Sequence, residues 1–230
     1  MFLPSILEYS TTSLEKKLKA IATNTELFKT LTKTTNHQLL QLHLDFVLTQ
    51  FAKDRSIMES LSLSAVFETL ESFFKHTRLK LSVHIMGEFE DIINNFSFFQ
   101  DCKFPKKWEI EIYVPEKYFI PWNKSYFSKS GGGKHSIGIW YDKSEWYQSG
   151  EKPELLGLDS LCNNFLLMTV TAGRSGQALL PEVKDSVIQT IQTMPTKNFI
   201  LDGGWNIDEQ GFLDNAKIVS YSSFWGKFIN

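Results

Sequence analysis

The chain has 230 residues, enough for one large domain or two small ones. Hydrophobic residues make up 42% and charged residues 22% of the chain, values typical of a folded globular protein, which excludes a chain that is disordered throughout. The formal net charge of -2 excludes a strong overall attraction to nucleic acid or to an acidic membrane surface.

The cysteines and the chain start favour a cytoplasmic protein. Cys102 and Cys162 lie far apart and no CxxC motif occurs, so neither a zinc ribbon nor a disulfide framework is predicted. The start, MFLPSILEYS, has no basic region and only a short apolar run, so we expect no signal peptide. No apolar run approaches the length of a membrane span. We therefore expect neither a membrane nor a nucleic acid as partner.

Short runs rich in β-forming residues recur along the chain, with longer segments between them that suit helices. We predict eight strands: FLPSIL, LQLHLDFV, LKLSVHIM, WEIEIYV, HSIGIWY, NFLLMTV, KNFILDG and AKIVSYSS.

Three of the intervening segments have apolar residues at helical spacing. TSLEKKLKAIATN offers Thr12 or Ser13 as a cap and Glu15 in the first turn. LSAVFETLESFFKHT shows the same period, and LPEVKDSVIQTIQTMP opens near a proline and ends before Pro195. Residues 123–133, NKSYFSKSGGG, are expected to form a longer loop.

Alternation of eight strands with helices predicts a (β/α)8 barrel, an α/β fold of the TIM type, built as a single domain from residues 1–230. A doubly wound open sheet is the alternative, because the number of strands does not distinguish the two architectures.

Polar residues fall where such barrels carry catalytic groups, at the carboxyl ends of the strands. His43 and Asp45 are two residues apart in LQLHLDFV, so their side chains face the same side of the strand. His84 lies late in the third strand and Asp202 ends the seventh. Two imidazoles and two carboxylates at one rim predict a site for one divalent metal: zinc, iron, manganese or cobalt. Further polar or thioether side chains at strand ends belong to Ser5, Met86, Met168, Ser222 and Ser223.

Each of these residues also has a purely structural interpretation. A single histidine near a strand end is usually a hydrogen-bonded structural residue, and a methionine usually fills a core. An aspartate before two glycines, as in LDGGW, is more often a turn former or a helix cap. The metal hypothesis therefore depends on the joint placement of all four residues.

Glycine-rich loops provide candidate phosphate sites. SKSGGGK lacks the GxxxxGK[ST] spacing and is interpreted as a flexible loop. TAGRSGQALLPEV follows a buried strand and leads into a helix, so its backbone N–H groups could bind a phosphate, and DGGWN and SYSSF follow the next two strands. The candidate binding residues in the first two loops are Gly173, Arg174, Ser175, Gly176, Gln177, Gly203 and Gly204.

The ordered set PSIL, LHLD, VHIM, LLMTVTAGRSGQALLPEV and ILDGG resembles the ribulose-phosphate 3-epimerase family. The resemblance touches nearly the whole chain and is strongest over residues 166–204. It implies a barrel of the ribulose-phosphate-binding type and an isomerase that interconverts D-ribulose 5-phosphate and D-xylulose 5-phosphate. It also implies a sugar phosphate as small-molecule partner, a homo-oligomer and a place in carbohydrate metabolism, in the pentose phosphate pathway.

The resemblance also assigns roles to individual residues. It matches the metal ligands to His43, Asp45, His84 and Asp202. It matches Asp45 and Asp202 to the two acid/base carboxylates, which would move protons through an enediolate. Ser5 matches a serine that contacts the substrate, and Met86 and Met168 match methionines that line the reactive centre.

Three departures from the family pattern concern the binding periphery. The family usually continues LHLD with Met-Asp-Gly, where this chain has VLT at 47–49. The phosphate loop Gly-Phe-Gly-Gly-Gln is GRSGQ here, with Arg174, and the usual Gly-Ser after the last strand is Tyr221-Ser222. The pattern favours a divergent epimerase.

Other activities stay open at this point. The first is an epimerase of a related ketose phosphate, such as a ketohexose 6-phosphate. The second is a catalytically degenerate barrel that binds a sugar phosphate without turnover. A metal-dependent aldolase or hydrolase has less support, because no strand end offers a clear Schiff-base lysine.

Overall fold

Eight parallel strands close into a barrel in the structure of this protein, a computed structural model that describes residues 2–32, 39–101, 103–119, 135–147, 162–173, 177–205, 216–220 and 225. The strands pair in chain order and the first also pairs with the last, so the sheet has no open edge. The predicted (β/α)8 TIM barrel is therefore confirmed, and the doubly wound open sheet is excluded. The loop predicted at 123–133 lies outside the described residues.

The strands and helices alternate along the chain. The strands are β1 (Phe2–Ile6), β2 (Leu40–Val47), β3 (Leu79–Met86), β4 (Trp108–Pro115), β5 (His135–Tyr141), β6 (Asn164–Met168), β7 (Asn198–Asp202) and β8 (Ala216–Ser220). The helices are α1 (Thr11–Thr23), α2 (Thr25–Thr32), α3 (Thr49–Arg55), α4 (Leu63–Phe74), α5 (Phe89–Asp101), α6 (Lys143–Trp146) and α7 (Pro181–Thr193), with one further helical turn over residues 116–119.

Alternation of side chains along each strand divides the molecule between two cores. On β2 every residue is buried; Leu42 and Leu44 pack outward in the core shared by strands and helices. A second core fills the barrel interior and includes Met86, Trp140 and Met168. His43 and Asp45 face this interior because they alternate with the outward leucines, as predicted.

Most element boundaries agree with the sequence predictions. β2, β3 and β5 match the predicted strands, whereas β6 ends at Met168 instead of Val170. The predicted cap of α1 is wrong. Ser10, with an extended backbone at φ -145°, accepts a hydrogen bond from the Ser13 N–H at 3.3 Å, so the helix begins earlier, at Thr11.

Within the described ranges, none of the helices combines the length and the apolar character that crossing a bilayer would require.

Candidate metal centre

Three strands bring the four predicted ligands to one place at the carboxyl end of the barrel. β2 carries His43 and Asp45, β3 carries His84 beside Asp45 in the parallel register, and β7 ends at Asp202. One ligand atom from each side chain lies within 4.8 Å of the others. The convergence predicted from strand positions is therefore present, and this buried cluster could hold a metal ion.

The spacing of the four atoms suits one ion. Asp45 Oδ1 lies 3.1 Å from His43 Nε2 and 3.1 Å from His84 Nδ1. Asp202 Oδ2 lies 3.6 Å and 3.4 Å from the same two nitrogens. Ligands about 2.0–2.1 Å from a tetrahedral ion are separated by roughly 3.4 Å, so these distances fit a shared cation.

The charges of the cluster also match a divalent cation. Burial alone would lower the pKa of His43, but the charges and hydrogen bonds of Asp45 and Asp202 overcome it and raise this pKa to about 10. The same contacts raise the pKa of His84 against burial, and the two imidazoles hold the pKa of Asp45 far below its usual range. Two carboxylates thus attract two positive charges, which either two protons or one divalent ion can supply.

The imidazoles and carboxylates differ in accessibility. Both histidine side chains are fully buried, whereas the side chains of Asp45 and Asp202 are 8% and 11% exposed to solvent. A molecule entering the barrel mouth therefore reaches the carboxylates before the imidazoles.

A surrounding layer of contacts orients the cluster. His43 Nδ1 is 3.1 Å from Ser82 Oγ, which leaves Nε2 to face the carboxylates. Ser5 donates a hydrogen bond to Asp45 Oδ2 at 2.5 Å, which leaves Oδ1 to face the imidazoles. Such outer partners fix the orientation of metal ligands. Ser5 was predicted to contact substrate; in this structure its hydroxyl contacts Asp45.

Several of the other predicted binding residues lie within the described part of the chain. Met86 and Met168 are buried in the barrel interior, and Met168 pairs with Asp202 in the register of β6 and β7. Gly203 has φ +105°, and a Cβ there would lie 2.1 Å from Val170 Cγ2, so glycine is required. Gly173 and Gly204 also have positive φ.

The side chain of Gln177 serves the loop that carries it. Its Nε2 donates to the Thr171 carbonyl at 2.7 Å, and its Oε1 accepts from the Thr171 N–H at 3.2 Å. These bonds tie together the two ends of the candidate phosphate loop. The remaining predicted binding residues lie outside the described residues; they are Arg174, Ser175, Gly176, Ser222 and Ser223. Tyr221, which departs from the family pattern, also lies outside them.

Sequence reasoning missed Ser82 and Trp140 at this centre. Both face the barrel interior, and Trp140 packs its ring against His84 with centroids 4.8 Å apart. Alternation along HSIGIWY indicates the inward direction of Trp140, since Ile137 and Ile139 face outward, but its contact across the barrel is not encoded locally.

The fold and the cluster together define a (β/α)8 barrel with a candidate two-histidine, two-aspartate metal centre. Neither the family models nor the curated proteins give a match to this chain.

Proposed function

We propose that this protein is a metal-dependent epimerase of a ketopentose phosphate that interconverts D-ribulose 5-phosphate and D-xylulose 5-phosphate. The observation that carries the proposal is the buried cluster of two imidazoles and two carboxylates at the carboxyl end of the barrel. The sequence supports the proposal through the set of motifs that resembles the ribulose-phosphate 3-epimerase family in order and spacing.

Inversion of a carbon next to a ketone needs two proton-transfer groups. One group removes the proton from one face of the carbon, and another delivers a proton to the opposite face. Asp45 on β2 and Asp202 on β7 suit this task, because β1 and β8 stand between their strands in the closed barrel. The two carboxylates therefore approach the barrel mouth from different strands. Within the cluster of four residues, they are the acid/base groups that a molecule in the mouth can reach.

A divalent cation at the cluster would act as a Lewis acid on the substrate carbonyl and stabilise the negative charge of the enediolate. His43 Nε2 and His84 Nδ1 would hold it from the buried side, with Asp45 Oδ1 and Asp202 Oδ2 completing the set. Each carboxylate then keeps its second oxygen for a proton.

The second oxygens of the two carboxylates are not equivalent. Oδ2 of Asp45 accepts the short hydrogen bond from Ser5. A proton that moves between the substrate and this oxygen uses its second lone pair, and the Ser5 bond makes the oxygen less basic. Within the described residues, no serine donates a hydrogen bond to Asp202. We therefore expect Ser5 to influence proton transfer on one face of the substrate only.

The apolar walls and the loops complete the proposed site. Met86 and Met168 offer polarisable, nonacidic surfaces to a planar intermediate. The loop tied by Gln177 and the glycines after β7 would bind the phosphate through backbone N–H groups, and this remote binding would orient the sugar.

The setting of the reaction is part of the proposal. We propose a homo-oligomer in the cytoplasm that takes a small sugar phosphate from carbohydrate metabolism. These points rest on the family resemblance and on the sequence features described above.

Solvent isotope exchange tests the proposal directly. Metal-loaded protein is incubated with ribulose 5-phosphate in deuterium oxide, and the products are identified by NMR. We expect deuterium at the carbon next to the carbonyl, together with xylulose 5-phosphate. The matched control is Asp54→Asn, which changes an aspartate bonded to Gln50 on the exposed side of α3.

The outcomes of this experiment separate the alternatives. Exchange and epimerisation by the wild type and by Asp54→Asn, but not by Asp202→Asn, support the epimerase. A ketohexose 6-phosphate is tested in the same way. If only this sugar exchanges its proton, the substrate is a ketohexose 6-phosphate. Metal binding without exchange in either sugar contradicts catalysis and favours the degenerate binding barrel.

A further inference from the structure

The two imidazoles of the candidate metal centre are oriented in different ways. His43 turns its second nitrogen, Nδ1, toward Ser82 Oγ at 3.1 Å. The second nitrogen of His84, Nε2, is buried and has no hydrogen-bond partner within the described part of the chain. A hydrogen bond at the second nitrogen is the usual device that holds a metal-binding histidine in place. His84 therefore needs another source of orientation.

Trp140 is in the position to supply that orientation. Its ring contacts the His84 ring with centroids 4.8 Å apart and planes at 70°, an edge-to-face arrangement. The indole N–H donates to the carbonyl of Ile85 at 3.0 Å, so the ring is anchored to the residue that follows His84 on the same strand. This bond ties the indole of β5 directly to the strand that carries His84.

Helix α3 provides a second aromatic contact to the indole. Phe51 of this helix packs against Trp140 with centroids 6.4 Å apart and planes at 75°, and both side chains are buried. The contact is T-shaped, as preferred by aromatic pairs. The buried indole thus contacts both Phe51 and the His84 imidazole, and these contacts restrain its orientation.

Helix α3 is itself tied to the start of α5 and to the residue that follows β5. The Gln50 N–H donates to Asp91 Oδ2 at 2.7 Å, at the start of α5. Arg55 donates to Asp142 Oδ2 at 2.9 Å, just beyond β5, and its guanidinium lies 4.3 Å from the centre of the Phe51 ring. These contacts hold Phe51 against the indole.

We propose that Trp140, backed by Phe51, is the positioning residue that sets the orientation of the His84 imidazole as a metal ligand. The inference rests on the proposed metal-dependent function and adds a residue that the sequence motifs do not contain. Packing against Trp140 orients His84, as the hydrogen bond to Ser82 orients His43. Without the indole, His84 can rotate about its side-chain bonds, and Nδ1 leaves the position 3.1 Å from Asp45 Oδ1.

Cobalt binding provides a test that does not depend on activity. The metal-free protein is loaded with Co²⁺, its d–d absorption spectrum is recorded, and its affinity is measured by competition with a chelator. For Trp140→Leu we expect affinity to fall by about tenfold or more, as for other changes behind metal ligands, and the d–d bands to shift. Trp140→Phe keeps a ring but loses the N–H anchor, so its values should lie between those of Trp140→Leu and the wild type.

Tyr141→Leu and Tyr141→Phe are the matched controls. Tyr141 is the next residue of β5, is equally buried, and faces outward, where it stacks on Phe165 with centroids 6.4 Å apart. Loss of this ring in Tyr141→Leu should lower the thermal midpoint about as much as Trp140→Leu does. The Co²⁺ spectrum and affinity of both Tyr141 variants should equal those of the wild type.

The results distinguish the failure of this inference from the failure of the proposed function. If the wild type binds no Co²⁺, the metal centre is wrong and the positioning role falls with it. If the wild type binds Co²⁺ and folded Trp140→Leu gives the same spectrum and affinity, only the positioning role is overturned. Should Trp140→Leu not fold, Trp140→Phe is compared with Tyr141→Phe, and wild-type affinity in both variants overturns the inference.

Discussion

Ser5 and Asp45 form a short hydrogen bond between neighbouring strands, with Oγ 2.5 Å from Oδ2. The register of β1 and β2 places Ser5 beside His43, two residues before the carboxylate that it contacts. The bond turns the other oxygen of Asp45 toward both imidazoles. A serine on one strand thus sets which carboxylate oxygen is available to a cation and which to a proton.

Replacement of Ser5 by alanine should weaken the metal centre without unfolding the protein. A hydrogen bond to a charged group contributes about 1.5–3 kcal/mol, so we expect metal affinity to fall by roughly one to two orders of magnitude. Affinity is measured by chelator competition with Zn²⁺ or Mn²⁺. Ser72→Ala, on the exposed face of α4, is the control and should behave as the wild type. Unchanged affinity in Ser5→Ala would show that Asp45 is oriented by other contacts.

Replacement of His84 by alanine should sharply reduce the metal content of the purified protein. The variant removes one of the four ligand atoms, and the loss of a fully buried imidazole should lower stability while the barrel remains folded. Metal is measured by elemental analysis and folding by circular dichroism. Exposed His76 supplies the control His76→Ala, which should retain full metal content. Full stoichiometry in His84→Ala would remove this residue from the ligand set.

The metal-free protein should lose stability as the pH rises. The pKa of His43 is raised from 6.5 to about 10 in the folded protein, so its stabilising contribution is fully present below pH 6.5 and is lost as the pH approaches 10. Bound metal instead requires neutral imidazoles, so its affinity rises over the same range. The difference in thermal midpoint between metal-loaded and metal-free protein should therefore widen from pH 6.5 to 10.

Calorimetry of both forms across this pH range measures that difference. The lowered pKa of Asp45 has the opposite sign: its contribution is present above pH 3.8 and is lost in stronger acid. Substitution His43→Gln removes the raised pKa of this residue, so the alkaline loss of stability in the metal-free form should become smaller. A constant difference between the two forms of the wild type would mean that protons and metal do not compete for these imidazoles.

The cluster could be predicted from the sequence because it follows from local patterns, whereas the number of strands left the open sheet as an alternative to the barrel, which the pairing of the first strand with the last excludes. Alternation within β2 places His43 and Asp45 on one face, and parallel strands bring their carboxyl ends to the same rim. His84 and Asp202 needed only their positions near the ends of two other strands. No knowledge of side-chain contacts between strands was required for this step.

The supporting contacts could not be predicted in this way. Ser82 and Trp140 act across strands, and the choice of which His43 nitrogen faces the carboxylates depends on Ser82 of β3. Helix α3 has seven residues and no side-chain cap at Leu48, so it lacks both the length and the start signal that identify a helix in a sequence. Its place in the fold is stabilised by Phe51 and by the Arg55–Asp142 bond, which are tertiary contacts.

The last prediction separates the two carboxylates. If Asp45 and Asp202 serve opposite faces of the substrate, Asp45→Asn and Asp202→Asn should each abolish epimerisation, because inversion needs both groups. Each variant should still exchange the proton of one epimer with solvent, since one base remains, and the two variants should differ in which epimer loses its label. Tritium release from ribulose 5-phosphate and from xylulose 5-phosphate measures this, after metal content has been matched, because asparagine is nearly isosteric with aspartate but a weaker ligand. Ser5→Ala provides a further comparison at matched metal content. Because Ser5 bonds to Asp45 alone of the two carboxylates, its loss should alter exchange in the epimer that depends on Asp45 and leave exchange in the other epimer unchanged. Epimerisation near the wild-type rate in either metal-replete variant would rule out the two-base mechanism for this protein.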